Sequence, residues 1–223
     1  MGEPTLAVFD LDGTITRHDT LTPLLSAFLL RHPWRLLRMP LALPAILPYL
    51  IGRGDRGALK GAMTHAVLGG LTRAELDRYV DTRLPALLRA GLFAEAVERI
   101  AWHRTQQHRL LLMSASTDFY VPRIAAALGF DDCICTPVRW RSDGCLDGRL
   151  ASANRRGPEK TRCLRDFLKS YAAAQIFAYG NSPADLDHMQ LASEGWYVNG
   201  HATDIPADAP QIRAVRWQRR GGV

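Results

Sequence analysis

The stretch Leu6-Ala7-Val8-Phe9-Asp10-Leu11-Asp12-Gly13-Thr14 leads from four apolar residues into a turn that carries two carboxylates. An unbroken apolar run of this length is typical of a strand that is buried on both faces of a parallel sheet. Gly13 allows the chain to turn sharply, because glycine has no Cβ to clash. We therefore predict a buried first strand that delivers Asp10 and Asp12 to its carboxyl end.

Similar apolar runs recur along the chain and alternate with helical patterns. Strand-like runs cover residues 109–113, 132–136, 175–179 and, more weakly, 196–198, whereas helical patterns cover residues 93–108, 120–128, 159–170 and 184–193. This alternation predicts an α/β fold, in which a Rossmann-like parallel sheet has helices on both faces. Such sheets bind ligands at the carboxyl ends of their strands. Residues 137–150 interrupt the alternation, and Ser142-Asp143-Gly144 within them predicts a β-hairpin.

Residues 17–90 are helical in character and contain no strand-like run. We therefore predict a helical cap domain that is inserted directly after the first strand. The α/β core domain would then comprise residues 1–16 together with residues 91–223. At 223 residues the chain is long enough for one well-packed domain with such an insertion.

The predicted cap contains an unusual apolar segment. From Met39 to Gly52 it carries no charge, and its prolines recur every four residues, at positions 40, 44 and 48. Five arginines flank it, namely Arg31, Arg35, Arg38, Arg53 and Arg56. One interpretation is a pair of cap helices whose apolar face packs on itself, and another is a peripheral contact with an anionic membrane surface. A transmembrane anchor is disfavoured, because the segment is too short to span a bilayer and its prolines would interrupt a regular helix.

The composition is that of a folded globular protein, with 47% hydrophobic and 22% charged residues. The formal net charge of +6 favours anionic partners. We expect no nucleic acid among them, because the basic residues are scattered and no base-stacking aromatic motif accompanies them. The four cysteines lack metal-binding spacing, and only five residues precede the first strand. We therefore expect free thiols, no signal peptide and a cytoplasmic location, with the inner membrane face as a peripheral alternative.

Asp10 and Asp12 are the strongest candidates for catalysis. Two carboxylates that are spaced by one residue on a turn can act differently on one substrate. The first can attack phosphorus as a nucleophile, and the second can protonate the leaving oxygen and later deprotonate water. The alternative is an Asp-Gly turn with two chance acids, which the position directly after a buried strand argues against.

Two further positions could bind a phosphate group. Ser114 follows the strand-like run 109–113, where a hydroxyl and free backbone N–H groups would suit a phosphate oxygen, although serine is also a common helix N-cap. Lys160 lies near the start of a predicted helix, where the macrodipole favours acids rather than cations. Its ammonium group could stabilise the charge on a transferred phosphoryl group, but an exposed surface lysine is the plainer alternative.

Asn181 and Asp185 follow the strand-like run 175–179. An amide oxygen and a carboxylate here could complete a Mg²⁺ site that Asp10 begins, because Mg²⁺ prefers oxygen ligands and needs only one or two carboxylates. The alternative is a helix N-terminus that Asn181 or Ser182 caps.

Taken in this order, Asp-x-Asp-Gly-Thr, Ser114, Lys160 and the acidic motif around Asp185 resemble the haloacid dehalogenase superfamily. The helical insertion is similar to the C1-type cap of its phosphoserine-phosphatase-like branch, subfamily IB. Several longer stretches resemble a bacterial group of small hydrolases in that branch, namely residues 103–116, 128–131, 148–150 and 154–164. The resemblance covers nearly the whole chain, from about residue 5 to about residue 200.

The resemblance implies a Mg²⁺-dependent phosphatase in which Asp10 is the nucleophile and Asp12 is the general acid/base. It implies phosphate-binding positions at Thr14, Ser114, Ala115 and Lys160. It also implies metal ligands in the Asp10 side chain, the Asp12 main-chain carbonyl and Asn181. Asp185 would be a supporting acid that orients Lys160 or a metal-bound water. Asp19, nine residues after the nucleophile, would help to bind the substrate, although it could equally cap the first cap helix.

The chain departs from the family pattern at one position. The family usually has aspartate where this chain has Asn181, and an amide oxygen brings no charge to a bound cation. Three outcomes stay open: an active enzyme that binds Mg²⁺ more weakly, an active enzyme in which another acid such as Asp185 is the direct ligand, and an impaired enzyme.

We therefore expect a phosphatase that acts on a small phosphorylated metabolite. Arg31-His32-Pro33 and the apolar segment after it are also similar to the cap of phosphatidylglycerophosphate phosphatases, and that similarity would imply a lipid phosphate at a membrane surface. A third alternative is a catalytically weakened family member that binds a phosphate ligand. No spacing rule identifies the substrate or the oligomeric state.

Overall fold

The structure, a computed structural model, describes residues 3–218. Its strands are β1 (Thr5–Asp10), β2 (Arg109–Thr117), β3 (Asp132–Thr136), β4 (Val138–Trp140), β5 (Leu146–Leu150), β6 (Gln175–Gly180), β7 (Glu194–Val198) and β8 (Ile212–Val215). Six of these strands form one parallel sheet in the order β3-β2-β1-β6-β7-β8, and β4 pairs with β5 in a separate antiparallel hairpin. The predicted α/β class is confirmed.

Helices connect these strands. They are α1 (Leu21–Arg31), α2 (Leu43–Leu50), α3 (Arg56–Leu68), α4 (Arg73–Gly91), α5 (Ala94–Thr105), α6 (Val121–Leu128), α7 (Pro158–Ser170) and α8 (Pro183–Met189). Short 3₁₀ segments cover Pro33–Ala42 and Ala202–Asp204.

Alternate residues of β1 contribute to the two halves of the core. Ala7 and Phe9 pack in a cluster with apolar residues of α5 and α6, whereas Leu6 and Val8 pack in a cluster with residues of α7 and α8. Every residue of β1 is buried, which explains why its sequence is continuously apolar rather than alternating. Helices thus cover both faces of the sheet, as predicted.

Two strands differ from the prediction. β2 continues beyond Met113 to Thr117, so Ser114 lies within a strand rather than on a strand-to-helix turn. β8 was not predicted, because its four residues at the sheet edge are partly exposed and include a polar residue, Arg213. Its pairing with β7 is what defines it as a strand.

The chain between β1 and α5 is helical, with α1 to α4 in the region that the sequence assigns to the cap. The predicted hairpin is also present, as β4 and β5 on either side of Ser142-Asp143-Gly144. β5 packs against α3, so the hairpin contacts the helical insertion. The domain limits, residues 1–16 with 91–223 and residues 17–90, stay a prediction.

The proline-rich apolar segment forms two short elements, the 3₁₀ segment Pro33–Ala42 and helix α2. Pro40 and Pro48 lie inside them, which explains why no long regular helix forms here. Most of the large apolar side chains in this region are exposed rather than packed together. The interpretation in which this apolar face packs on itself is therefore wrong. None of the helices within residues 3–218 combines the length and the apolar character that crossing a bilayer requires.

Candidate active site

The carboxyl ends of β1, β2 and β6 meet at a cavity of about 470 Å³. β1 lies between the other two strands, with Asp10 beside Met113 of β2 and Phe9 beside Tyr179 of β6. Because parallel strands end at the same edge of a sheet, the residues that follow them converge. The lining of the cavity accordingly includes most of the predicted site residues, namely Asp10, Asp12, Asp19, Ala115, Lys160, Asn181 and Asp185.

Lys160 lies between two carboxylates in the interior of the protein. Its Nζ donates to Asp10 Oδ1 at 2.6 Å and to Asp185 Oδ1 at 2.8 Å, and only 2% of the residue is exposed. The lysine stands in the first turn of α7, where the helix dipole disfavours a cation. The two carboxylates compensate for that position, so the alternative of an exposed surface lysine is wrong.

This buried cluster carries a net negative charge, because one ammonium group faces two carboxylates. Burial raises the pKa of Asp10, and the attraction of Lys160 offsets only part of that effect. Burial acts in the same direction on Asp185, but the attraction of Lys160, helped by His188 and by the hydrogen bonds from Lys160 and Ser182, outweighs it and holds the Asp185 pKa well below its usual range. Lys160 keeps its proton, because the two carboxylates outweigh its desolvation and raise its pKa. The cluster therefore favours a further cation close to Asp10.

A second set of hydrogen bonds holds the Asp12 carboxylate. Its Oδ1 accepts from the N–H and the hydroxyl of Thr20, both at 2.7 Å, and its Oδ2 accepts from the Ser116 hydroxyl at 2.6 Å. The buried Tyr120 hydroxyl lies 2.9 Å from Thr20 Oγ1. Burial, and after it the charge of Asp19, raises the pKa of Asp12 although these hydrogen bonds oppose the shift. A positioned carboxyl group with a raised pKa suits proton transfer.

Thr14 links β1 to the residue that follows β6. Its hydroxyl lies 3.1 Å from Asp10 Oδ2 and 3.3 Å from Asn181 Oδ1, so these two oxygens lie near one another. Gly13 has a φ of +88°, and a Cβ at this position would be 2.1 Å from Asn181 Nδ2. The glycine therefore permits the turn and also leaves room for the Asn181 side chain.

We expect Gly13→Ala to lower the free energy of unfolding by about 1–3 kcal/mol, because both the backbone conformation and the contact with Asn181 become strained. Urea denaturation measures the loss. Gly70→Ala is the matched control, since Gly70 has the same φ of +88° but nothing lies within 4 Å of its added Cβ. A loss no larger than that of Gly70→Ala would contradict the close packing of Asn181 on Gly13.

On β2, the cavity lining is formed by Ala115 and Ser116 rather than by Ser114. Ser114 is buried within the strand, where its Oγ accepts a hydrogen bond from the Ser116 N–H at 3.0 Å. Ser114 as a phosphate ligand stays a prediction. Ser116 was not predicted as a site residue, because the strand was expected to end at Met113. A predicted strand that continued beyond Met113 would have placed Ser116 at the edge of the sheet where the site lies.

Two predicted acids also stabilise helix starts, a role that the sequence left open for Asp19 but not for Asp185. Asp19 Oδ1 accepts from the Thr22 N–H at 2.6 Å at the beginning of α1, while the residue also lines the cavity. Asp185 Oδ2 accepts from the Ser182 hydroxyl at 2.7 Å and from its N–H at 3.1 Å, at the beginning of α8. Asp185 therefore ties the start of α8 to Lys160.

Several basic residues in the cavity lining were not predicted. They come from the loop between β1 and α1, from α3 and from the loop before α7, and are Arg17, Arg56, Lys60, Arg155 and Arg156. Lys60 Nζ donates to the Ala115 main-chain carbonyl and to Asn154 Oδ1, which links α3 to the end of β2. The cavity is therefore suited to an anionic ligand. These residues come from three separate parts of the chain and form no motif, so only the fold brings the three parts together.

The oxygen atoms of the residues that line the cavity are suitable ligands for Mg²⁺. Asp10 Oδ2 and Asn181 Oδ1 both lie within hydrogen-bond distance of the Thr14 hydroxyl, and the cluster around Lys160 has an excess of negative charge. Mg²⁺ takes oxygen ligands and retains several waters, so a few protein oxygens are enough. The residues present can therefore hold this cation.

A family model described as haloacid dehalogenase-like hydrolase matches residues 7–190. The protein CicA of Caulobacter vibrioides is 33% identical over 207 residues, which cover 87% of this chain and 86% of CicA. A protein of Mycobacterium tuberculosis named "probable phosphatase" is 26% identical over 199 residues, which cover 87% of this chain and 69% of that protein. A solved structure of a phosphoserine phosphatase with an analogue of its phospho-aspartyl intermediate has a TM-score of 0.64 at 15% identity, and the match covers 96% of this chain and 94% of that one. At 15% identity, the similarity to the phosphoserine phosphatase structure shows a shared fold.

Proposed function

The chain belongs to the haloacid dehalogenase-like hydrolases and is a phosphatase, and from this premise we propose that it hydrolyses a small phosphomonoester with Asp10 as the nucleophile and Mg²⁺ as the cofactor. One observation supports the proposal most directly. The buried Lys160 ammonium lies 2.6 Å from the Asp10 carboxylate, in a cavity that Asp12 also lines. A carboxylate in this position can attack phosphorus, while the ammonium group reduces repulsion from the incoming phosphate.

The proposed reaction has two steps. A carboxylate oxygen of Asp10 forms a bond to phosphorus while the bond from phosphorus to the leaving oxygen breaks, and Asp12 gives its proton to that oxygen. A water molecule then gives a proton to Asp12 and attacks the phosphorus of the aspartyl-phosphate. This second step releases inorganic phosphate and restores Asp10. Lys160 stays protonated and stabilises the negative charge on the phosphoryl oxygens.

Asp12 needs its proton in the first step and must point at the leaving oxygen. The bonds from Ser116 and Thr20 hold its carboxyl group in one orientation, and burial raises its pKa so that the protonated form is more accessible. Positioned proton transfer of this kind contributes about 10²- to 10⁴-fold to a rate. Ser116 and Thr20 therefore act through Asp12 as positioning residues.

The remaining predicted residues have supporting roles in this proposal. Mg²⁺ would be held by the Asp10 carboxylate, the Asp12 main-chain carbonyl and Asn181 Oδ1, and when bound it would neutralise charge on the phosphate. Thr14, Ser114 and Ala115 are the proposed phosphate-binding positions, and Asp19 is proposed to face the rest of the substrate. Asp185 orients Lys160. The cytoplasmic location expected from the sequence remains part of the proposal.

The direct test is phosphate release from a panel of phosphoesters, with Mg²⁺ and with EDTA. The panel includes phosphorylated amino acids, amino alcohols and a short-chain lipid phosphate, so the preferred substrate distinguishes a metabolite from a lipid. We expect turnover that depends on Mg²⁺. Measurable binding of phosphate ligands without turnover of any member would instead support a catalytically weakened protein.

We expect Asn181→Asp to increase the apparent affinity for Mg²⁺ by about tenfold or more, because a carboxylate adds a unit charge where the amide has none. The measurement is the Mg²⁺ concentration that gives half-maximal phosphate release. Asn199→Asp is the matched control, since it adds the same charge to the lining of the same cavity away from the proposed ligand set.

Equal effects of Asn181→Asp and Asn199→Asp would contradict the assignment of Asn181 as a metal ligand. If Asn181→Asp creates activity that the native chain lacks, the native chain is the weakened family member.

A further inference from the structure

The insertion exposes many large apolar side chains within one stretch of sequence. Nine of the eleven exposed large apolar side chains in the described part of the chain lie between Leu30 and Ile51, and the other two, Val97 and Trp102, lie on α5. We call these nine side chains the apolar cap surface. Leu37 is 84% exposed and Leu50 is 72% exposed, although leucine is among the residues that most often lie inside a protein. A concentration of this kind is typical of an interaction site.

Hydrogen bonds fix the position of the 3₁₀ segment Pro33–Ala42, which carries four of these nine side chains. Arg35 and Arg38 lie in the 3₁₀ segment, and both donate to the Gly69 main-chain carbonyl, while Arg38 also donates to that of His65. These carbonyls lie at the C-terminal end of α3, where the last carbonyls of a helix lack intrahelical partners; the His65 carbonyl also accepts from the Gly69 N–H. The two arginines therefore hold the 3₁₀ segment against α3, while Leu36, Leu37 and Leu41 of this segment stay exposed.

Charge indicates what covers the apolar cap surface. Between Asp19 and Asp55 the sequence contains no acidic residue. Arg31 and Arg53 lie in sequence near the two ends of this stretch, and both are exposed. Trp34, which follows Arg31 by three residues, is also exposed. An exposed apolar face with a tryptophan and basic flanks matches the interfacial region of an anionic bilayer, where apolar side chains enter the acyl boundary and arginines meet headgroups.

We propose that the apolar cap surface docks the protein onto an anionic lipid bilayer as a peripheral contact. Leucine, isoleucine and tryptophan side chains enter the interface, while Arg31 and Arg53 contact the headgroups. The elements involved are two short helical segments that lie on the bilayer and do not cross it. This docking is a separate property from the proposed reaction, and it does not depend on that reaction.

The test is co-sedimentation of the purified full-length chain with vesicles. Vesicles of phosphatidylglycerol and phosphatidylcholine are compared with vesicles of phosphatidylcholine alone, at low and raised salt. We expect binding to the anionic vesicles that weakens as salt increases. Absence of binding to the anionic vesicles would overturn the proposal.

Two pairs of exposed residues make the test specific. Leu37→Ser should lower binding by about tenfold, because one leucine leaves the interface, whereas Val97→Ser on α5 should leave it unchanged. Arg31→Gln with Arg53→Gln should lower binding by about 20-fold, whereas Arg165→Gln on α7 should not. All these side chains are exposed, so the variants should fold, and their circular dichroism checks this. Equal binding of Leu37→Ser and Val97→Ser would overturn the proposal.

A second copy of the chain is the competing occupant of this surface. Light scattering after size-exclusion chromatography detects it as a dimer that Leu37→Ser abolishes. Such a dimer without vesicle binding would overturn the proposal in favour of self-association. The Asp10→Asn variant should bind vesicles like the native chain, so failure of the docking and failure of the proposed chemistry are distinguishable.

Discussion

Asp10→Asn is expected to reduce Mg²⁺-dependent phosphate release by at least about 10⁴-fold, because the nucleophile of a two-step reaction has no substitute. An amide in this position is a poor nucleophile, and it also brings no charge to the proposed metal site. The variant should still fold, since Asp185 continues to pair with Lys160. Thermal unfolding of the variant beside the native chain checks that the loss is chemical rather than structural.

The phosphorylated intermediate gives a second measurement of the same prediction. Native enzyme that is quenched in acid during turnover should carry a phosphoryl group on Asp10, which mass spectrometry of its peptides detects. Asp10→Asn should carry none. Asp19→Asn is the control, since it removes a carboxylate from the lining of the same cavity but leaves the nucleophile. A phosphoryl group on another residue, or more than trace turnover in Asp10→Asn, would show that the nucleophile is assigned wrongly.

Lys160→Met is expected to have the largest effect on stability, a loss of about 3–5 kcal/mol in the free energy of unfolding. The ammonium group lies 2.6 Å from Asp10 and 2.8 Å from Asp185, and all three side chains are buried. Without Lys160 two carboxylates would remain in the interior without a cation. Urea denaturation in EDTA measures the loss.

Lys60→Met is the matched control for this prediction, because Lys60 donates to a carbonyl and an amide oxygen rather than to a carboxylate. Its loss should be clearly smaller. Adding Asp185→Asn to Lys160→Met should recover part of the stability, because it removes one of the two stranded charges. If the double variant is less stable than Lys160→Met alone, charge repulsion is not the cause of the loss.

The effect of Lys160→Met should also depend on pH. Lys160 helps to hold the folded-state pKa of Asp185 below its unfolded value, so in the native chain this ion pair keeps its contribution to stability down to about pH 4 and loses it only below that. In the variant, burial alone raises the pKa values of both carboxylates, which then take up protons as the medium becomes acidic. The difference in stability between the native chain and Lys160→Met should therefore shrink between about pH 8 and about pH 5. A constant difference over this range would contradict the ion-pair explanation.

Much of the fold could be predicted because its physical causes are local. A continuous apolar run must be buried on both sides, and this identified β1 and β6 before their pairing was known. Alternation of such runs with helical patterns allows few arrangements other than an open parallel sheet. β8 escaped prediction because four partly exposed residues have no pattern of their own, and their pairing with β7 is what makes them a strand.

In the candidate site, too, some residues could be predicted from the sequence and others could not. Lys160 and Asp185 were expected near Asp10, because Lys160 lies near the start of a helix and Asp185 follows a strand at the same edge of the sheet. In the structure, Lys160 lies within hydrogen-bond distance of both Asp10 and Asp185. Ser116 and Thr20 were not expected to hold Asp12. Their role depends on the extra length of β2 and on the path of the chain into α1, which are properties of the packed molecule.

The sequence by itself therefore determined the class of the fold, the edge of the sheet at which the site lies and the acids that the proposed chemistry requires. These follow from short-range hydrophobic patterns and from turn residues whose preferences are local. Only the tertiary structure decided which basic residues join the cavity, and it also turned the leucines of residues 30–51 outwards. One reason is that hydrogen bonds from Arg35 and Arg38 tie the 3₁₀ segment Pro33–Ala42 to the end of α3, and contacts between distant parts of a chain leave no periodic pattern in its sequence.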